Sequence, residues 1–281
     1  MLSGPRAAVL GQPVAHSLSP TLHQAAYDAL GLTDWTFERH EVGAADLPRF
    51  LASLDKRWRG LALTMPLKEA ALALADVATD TAVRTGAANT LIRQGDSWHA
   101  DNTDVWGIRA ALHDAGARPE GTGWALVLGS GATARSALAA FSALGVRDVV
   151  FGVRDRVRPE TLRQAEAAGM RTSVLALDDV ARAVADAPVT VSTLPPGGAD
   201  GVAAALEDQR LAGTGVLLDV VYAGWPTPLA AEAGRAGLNV VPGIEMLIHQ
   251  AAAQVRSMTG RDAPLAAMQA AGRSTQRTRR A

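Results

Sequence analysis

Apolar positions along this chain alternate between short unbroken runs and stretches spaced three or four apart, the marks of buried strands and of helices with one apolar face. AAVLG (7–11) reads as the first strand, and TLHQAAYDALG as a helix with Leu22, Ala26, Tyr27 and Leu30 on one side and Gly31 at its end. Ser19 and Pro20 suit its N-cap and first position. WTFERHEV and GLALTMP read as strands, followed by the helices ADLPRFLASL and KEAALALA. TLIRQG and SWHAD form a hairpin, and Asp104 to Gly116 a helix that gathers Val105, Ile108 and Leu112. The βαβα rhythm predicts a mainly parallel sheet covered by helices.

The second half repeats this rhythm more regularly. WALVLG, DVVFGV, TSVLAL, VTVSTLP, VLLDVVY and LNVVPG read as strands separated by helical stretches, and their uniform apolarity means burial on both faces. At its head, WALVLGSGATAR (124–135) reads as strand, tight turn and helix. Gly129 lets the chain reverse, Gly131 lets a bound group approach the backbone, and the small Ala134 lets the helix pack on the strand. Free N–H groups at the start of that helix favour a pyrophosphate. The fold class is α/β: a first domain over 1–105 and a doubly wound, Rossmann-type NAD(P)-binding domain over 106–243. IEMLIHQAAAQVRSMTG is the last helix, with Met246, Leu247, Ala251, Val255 and Met258 in one stripe; it can finish the second domain or cross back to the first.

Composition narrows the partners. A length of 281 residues allows about two domains. A net charge of −1 and a pI near 6.6 argue against nucleic acid or a membrane surface, which call for a basic patch. There is no cysteine, so disulfides, thiolate metal sites and cysteine nucleophiles are excluded. No long apolar run or leader-like segment opens the chain, and a cytoplasmic location is expected. Residues 271–281, with Arg273, Arg277, Arg279 and Arg280 and no carboxylate, read as a disordered basic tail.

Polar residues gather at strand ends and turns, where a rigid scaffold can aim them. Ser17 and Ser19 can present two hydroxyls to one anionic group, or form a Ser/Thr turn and helix cap. Thr64 and Lys68 flank Pro66 after a strand; Lys68 read alone is a solvated first-turn lysine. Asn89 and Thr90 follow a GAA turn, and Asn102, Thr103 and Asp104 start a helix. His16 and His23 lack the carboxylates a metal site needs, so no metal is expected. Hydride delivery to a carbonyl leaves an alkoxide that must take a proton, and a lysine beside an aspartate meets that need. Lys68 and Asp104 are the pair that fits, with Ser17, Ser19, Thr64, Asn89 and Gln250 supplying neutral hydrogen bonds suited to a small polyhydroxylated acid.

GQPVAHSLSPTLH, LTMPLK, GAANTL, DNTD, VLGSGATA, DVVYAGWPTPL and GIEMLIHQ together resemble the shikimate dehydrogenase family, in its order and spacing over residues 11–250. The resemblance implies reversible NADPH-dependent reduction of 3-dehydroshikimate to shikimate, in the chorismate route to aromatic amino acids, by a monomer or homodimer. It implies Lys68 and Asp104 as the catalytic pair, with Lys68 the acid/base. Ser17 and Ser19 are implied on the substrate carboxylate, Thr64, Asn89, Asp104 and Gln250 on its hydroxyls, and Tyr222 near the substrate. Gly129, Ser130, Gly131 and Ala132 are implied on the pyrophosphate, Arg154 and Arg158 on a 2′-phosphate, and Gly243 near the nicotinamide. It also implies that the first domain binds the substrate and that the last helix returns to it, so that 244–270 complete the substrate-binding domain over 1–105.

Four positions depart from the family's pattern. Val153 and Asp155 stand where the family has Asn and Thr, and an acid about twenty residues past the glycine turn favours NAD over NADP. Ala62 stands where a substrate strand carries Asn, and Gln24 where Asn follows His23. Ala62 and Asp155 leave quinate or an aminoshikimate as alternative substrates and NAD as an alternative cofactor. A ligand-sensing protein of the same fold is the reading from another class, against which the intact Lys68 and Asp104 speak.

Overall fold

The computed structural model describes residues 4–117, 123–208 and 213–278. Its elements divide into two compact units, Met1–Gly107 with Leu247–Thr275, and Ile108–Met246 with Gln276–Ala281.

The first unit begins with β1 (Arg6–Gly11), α1 (Ser19–Ala29), β2 (Thr36–Glu41), α2 (Leu47–Ala52), β3 (Trp58–Leu63) and α3 (Lys68–Leu74). It continues through β4 (Val77–Ala78), α4 (Asp80–Thr85), β5 (Thr90–Gln94), β6 (Ser97–Asp101) and the start of α5 (Asp104–Asp114). Its sheet has the order β2-β1-β3-β5-β6-β4. β1 runs parallel to β2 and β3, β4 parallel to β6, and the β5–β6 hairpin antiparallel. Leu61 and Leu63 of β3 pack with Leu10, Leu67 and Leu91 on one face, while Ala62 joins Val9, Tyr27, Ile92 and Met258 on the other. β1, β3 and β6 end, and the antiparallel β5 begins, at the same edge of this sheet, which sets the polar residues there on a common rim.

Local chemistry sets the helix ends. Thr79 Oγ1 accepts the N–H of Ala82 at 3.2 Å to open α4, and Gly86, at φ 60°, closes it. In α1 the cap position falls on Leu18 and Ser19 is already helical; the Ser17 hydroxyl accepts the Ser19 N–H at 3.3 Å in place of the expected Ser19 cap.

The second unit carries the rest of α5, then β7 (Trp124–Leu128), α6 (Ala132–Ala143), β8 (Asp148–Val153), α7 (Pro159–Ala167), β9 (Arg171–Ala176), α8 (Ala181–Asp186) and β10 (Val189–Ser192). α9 (Asp200–Asp208), β11 (Val216–Asp219), α10 (Pro228–Arg235) and β12 (Asn239–Pro242) complete it, and α11 (Gly243–Thr259) begins there. All six strands are parallel, in the order β12-β11-β10-β7-β8-β9. That is the doubly wound nucleotide-binding order, with β7 and β10 flanking the point where the winding reverses. β7, β10 and β11 are buried throughout apart from Trp124, as a sheet covered on both faces demands.

The last helix, α12 (Leu265–Thr278), corrects the expected disordered tail at 271–281. Gly272 has no side chain, and a Cβ there would stand 2.9 Å from Leu22 Cδ2 and 3.2 Å from Ile248 Cδ1, so the helix lies close upon both. Met268 is fully buried. The small residues Ala266, Ala267, Ala270, Ala271 and Gly272 hid this packing face from the hydrophobic pattern. Residues 279–281, with Arg279 and Arg280, lie outside the described residues.

Candidate active site

In the first unit the polar rim converges on one buried pair. Lys68 is the first residue of α3 and Asp104 the first of α5, and Lys68 Nζ donates to Asp104 Oδ2 at 2.5 Å, with side chains 14% and 7% exposed. Asn89, immediately before β5, donates from Nδ2 to Asp104 Oδ1 at 2.8 Å. Both carboxylate oxygens therefore meet a donor, and the α5 N-terminus favours the negative charge. The Asp104 N–H donates to Asn102 Oδ1 at 3.2 Å, which fixes the turn into the helix.

Gln250 comes to the same cluster from α11, in the segment 247–275 that belongs to the first unit. Its Oε1 accepts from Asn89 Nδ2 at 3.2 Å and from Thr103 Oγ1 at 3.4 Å, and its own Nε2 donates to the Leu247 carbonyl at 3.0 Å. Lys68, Asn89, Asp104 and Gln250 thus form one hydrogen-bonded group. Thr103, read from sequence only as a helix start, is part of it: its N–H donates to Asn89 Oδ1 at 2.8 Å.

Ser17, Ser19 and Thr64 stand elsewhere on the rim. Both serines are buried, Ser17 in the turn after β1 and Ser19 at the start of α1, and the Ser17 carbonyl accepts from Arg39 at 2.9 Å. Thr64 is half-buried just past β3, its methyl filling the space beside Gly11. Among the described residues no hydrogen bond joins these three to the cluster around Asp104. Ala62 is 4% exposed and packed among Val9, Tyr27 and Ile92, so its short side chain bears on that apolar contact.

The second unit holds the glycine turn. Gly129 has φ 98°, a conformation that excludes side chains, and a Cβ there would stand 2.7 Å from Thr193 Oγ1. Gly131 caps α6 without a side-chain hydrogen bond, and a Cβ on it meets nothing within 4 Å. Open space over uncapped helix N–H groups fits a pyrophosphate, with Ser130 and Ala132 beside it. Ser130 also ties this turn to α7: its hydroxyl accepts the Arg158 N–H at 3.3 Å and its carbonyl accepts Thr161 Oγ1 at 2.8 Å. Arg154, Asp155, Arg156 and Arg158 are exposed, whereas Val153 and Val157 are each 5% exposed and anchor the stretch. Asp155 forms no ion pair with these arginines among the described residues.

At the end of β11, the buried Asp219 accepts Thr227 Oγ1 at 2.6 Å and the Val221 N–H at 3.2 Å, and burial raises its carboxyl above the usual range. Gly243, opening α11, lies so close that a Cβ would stand 2.2 Å from the Val220 carbonyl oxygen. Tyr222, in the loop after β11, is half-buried. Sequence reading passed over Asp219; its place at a strand's carboxyl end before a Gly/Pro turn was the available signal. Among the described residues no group of His, Asp and Glu is placed to hold a metal ion, and no helix is long and apolar enough to cross a membrane.

A doubly wound sheet headed by an open glycine turn, in one chain with an α/β unit that buries a lysine–aspartate pair, defines a two-unit nicotinamide-dependent dehydrogenase. Residues 9–91 match the shikimate dehydrogenase substrate binding domain, and residues 243–271 the shikimate 5′-dehydrogenase C-terminal domain. The chain belongs to the shikimate dehydrogenase family.

Among curated relatives, the shikimate dehydrogenase (NADP+) of Methylobacterium radiotolerans is 39% identical over 88% of this chain and 88% of its own. That of Thermus thermophilus is 36% identical over 91% and 92%. The crystal structure of Mycobacterium tuberculosis shikimate dehydrogenase has a TM-score of 0.83 at 45% identity, covering 96% of this chain and 99% of that one. The Thermus thermophilus enzyme in complex with NADP(H) and shikimate has a TM-score of 0.79 at 34% identity, covering 96% and 99%.

Proposed function

We propose that this chain is an NADP-dependent shikimate dehydrogenase, interconverting 3-dehydroshikimate and shikimate in the cytoplasm as a monomer or homodimer. The observation that carries the reading is the 2.5 Å contact between Lys68 and Asp104, two residues that each open a helix at the rim of the first sheet, in a member of this family. When bound, NADPH supplies the hydride. The Lys68 ammonium gives its proton to the oxygen that gains charge as the carbonyl is reduced, and takes it back in the reverse direction. Asp104 holds the ammonium in place and accepts from a ring hydroxyl.

Ser17 and Ser19 are assigned to the substrate carboxylate, and Thr64, Asn89 and Gln250 to its hydroxyls, with Tyr222 a further substrate contact. Gly129, Ser130, Gly131 and Ala132 take the pyrophosphate, Arg154 and Arg158 a 2′-phosphate, and Gly243 admits the nicotinamide by lacking a side chain. The curated relatives named shikimate dehydrogenase (NADP+) support shikimate over quinate or an aminated analogue; Ala62, set among apolar neighbours, bears on the packing of the sheet. The freedom of Arg154 and Arg158 from Asp155 supports NADP over NAD. Steady-state kinetics with shikimate and quinate, each with NADP+ and NAD+, test this. The highest kcat/KM is expected for shikimate with NADP+; a higher value for any other combination refutes the assignment.

A further inference from the structure

A line of buried polar groups runs behind the lysine–aspartate pair and ends on it. His23 is fully buried, stacked on Phe37 with 3.8 Å between ring centroids and edge-on to Tyr27. Burial lowers its imidazole to about 3, so the ring is neutral. Its Nε2 lies 3.3 Å from Gln254 Oε1. An amide oxygen only accepts, so this ring nitrogen carries the proton and donates.

That contact sets the direction of the bonds through Gln254 and Thr90. With its oxygen engaged, Gln254 turns its Nε2 to Thr90 Oγ1 at 2.9 Å and to the Asn89 carbonyl at 3.3 Å. The Thr90 hydroxyl, having accepted from Gln254, donates its own proton to Asn89 Oδ1 at 2.8 Å. Asn89 Oδ1 also accepts the Thr103 N–H at 2.8 Å, so the Thr90 hydroxyl reinforces an orientation in which Nδ2 faces Asp104 Oδ1 at 2.8 Å. The two ends of an asparagine amide are nearly equal in size, so packing alone does not choose between them. Reversed, the amide oxygen would face the Asp104 carboxylate and the NH2 would face the Thr103 N–H.

We propose that Thr90 and Gln254, directed by His23, are positioning residues that hold the Asn89 amide with its NH2 toward Asp104 and so aim the carboxylate that meets Lys68. The inference rests on the reading of Lys68 and Asp104 as the reacting pair. None of the three touches that pair; they act through Asn89. A buried polar line of this kind is costly unless every member is satisfied, and the directionality of its bonds is what it contributes.

Three substitutions at Thr90 separate positioning from packing. Thr90→Val keeps the shape and removes the hydroxyl, while Thr90→Ala and Thr90→Ser lose the same methyl group and differ only in the hydroxyl. In shikimate oxidation with NADP+, Thr90→Val and Thr90→Ala are expected to lose about tenfold in kcat. Thr90→Ser should keep within about threefold of wild type, and KM for NADP+ should be unchanged in all three. The Asn89 side-chain NH2 resonances, read by NMR without turnover, should exchange slowly with solvent in wild type and Thr90→Ser and faster in Thr90→Ala. Equal kcat and equal exchange in the Ser and Ala variants overturn the proposal, and that pair decides the matter if Thr90→Val does not fold. Failure of wild type itself to oxidise shikimate would instead refute the proposed reaction, with the exchange measurement still judging the positioning role.

Discussion

Replacing Lys68 by methionine removes the ammonium while keeping the length and apolar body of a side chain that is 14% exposed. General acid/base catalysis by a positioned side chain contributes about 10² to 10⁴ in rate, roughly 3–5 kcal/mol of barrier. The Lys68→Met chain should lose kcat by about that factor. Stability should suffer less than the several kcal/mol that follow when one partner of a fully buried ion pair is removed. Asp104 keeps the Asn89 donor at 2.8 Å and its place at the start of α5, so about 2 kcal/mol is expected. The assays are steady-state oxidation of shikimate with NADP+ and unfolding in urea. Because the two residues act as a unit, Lys68→Met/Asp104→Asn should lose little more kcat than the worse of its single parents. A Lys68→Met enzyme whose kcat stays within about tenfold of wild type would falsify the role given to the ammonium.

Two further predictions concern the frame around the site. His23 stays neutral in the folded chain, held near 3 against an ordinary 6.5, so the unfolded chain gains a proton first as pH falls. Its contribution to stability is full above about pH 6.5 and drains away toward pH 3, amounting to a loss of about 2 kcal/mol at pH 5. Urea titrations should show this slope in wild type, and His23→Phe should lack it; equal slopes in the two chains would count against the neutral ring. Gly272→Val would press a side chain against Leu22 and Ile248 and should cost about 1–3 kcal/mol of stability, where substitution in an unfolded tail would cost nothing. An unchanged urea midpoint would mean that α12 does not pack there.

Much of this fold is written locally. The run Ala125–Leu128 into Gly129, Ser130 and Gly131 marks a strand, a reversal and a helix start within a few residues, and the parallel order of the second sheet follows from repeated βα units. Lys68 and Asp104 were legible because each opens a helix after a turn. What escaped was non-local or assembled from small groups. α12 docks through a missing side chain at Gly272, which no scale of apolar residues registers. α4 is only six residues long, and its Thr79 cap and Gly86 stop were the signals for it. No spacing connects His23 to Gln254, 231 positions later; only the folded backbone brings them together. The departure at Ala62 looked like an altered ligand contact because sequence does not say which way a side chain points, and it is buried among apolar neighbours.

The first unit is discontinuous, and Gln254 donates to the carbonyl of Asn89 across 165 positions. On the ribosome, the amino-terminal sheet is finished long before α11 exists. Until α11 emerges, the imidazole of His23 has no amide oxygen to meet, and the Asn89 carbonyl and the Thr90 hydroxyl lack the donor that Gln254 brings. Nascent chains halted before α11 would therefore carry both members of the lysine–aspartate pair and still lack the Gln250 and Gln254 amides that brace Asn89 beside it, so that the hydrogen-bonded group is completed in a single late step with the carboxyl-terminal helices.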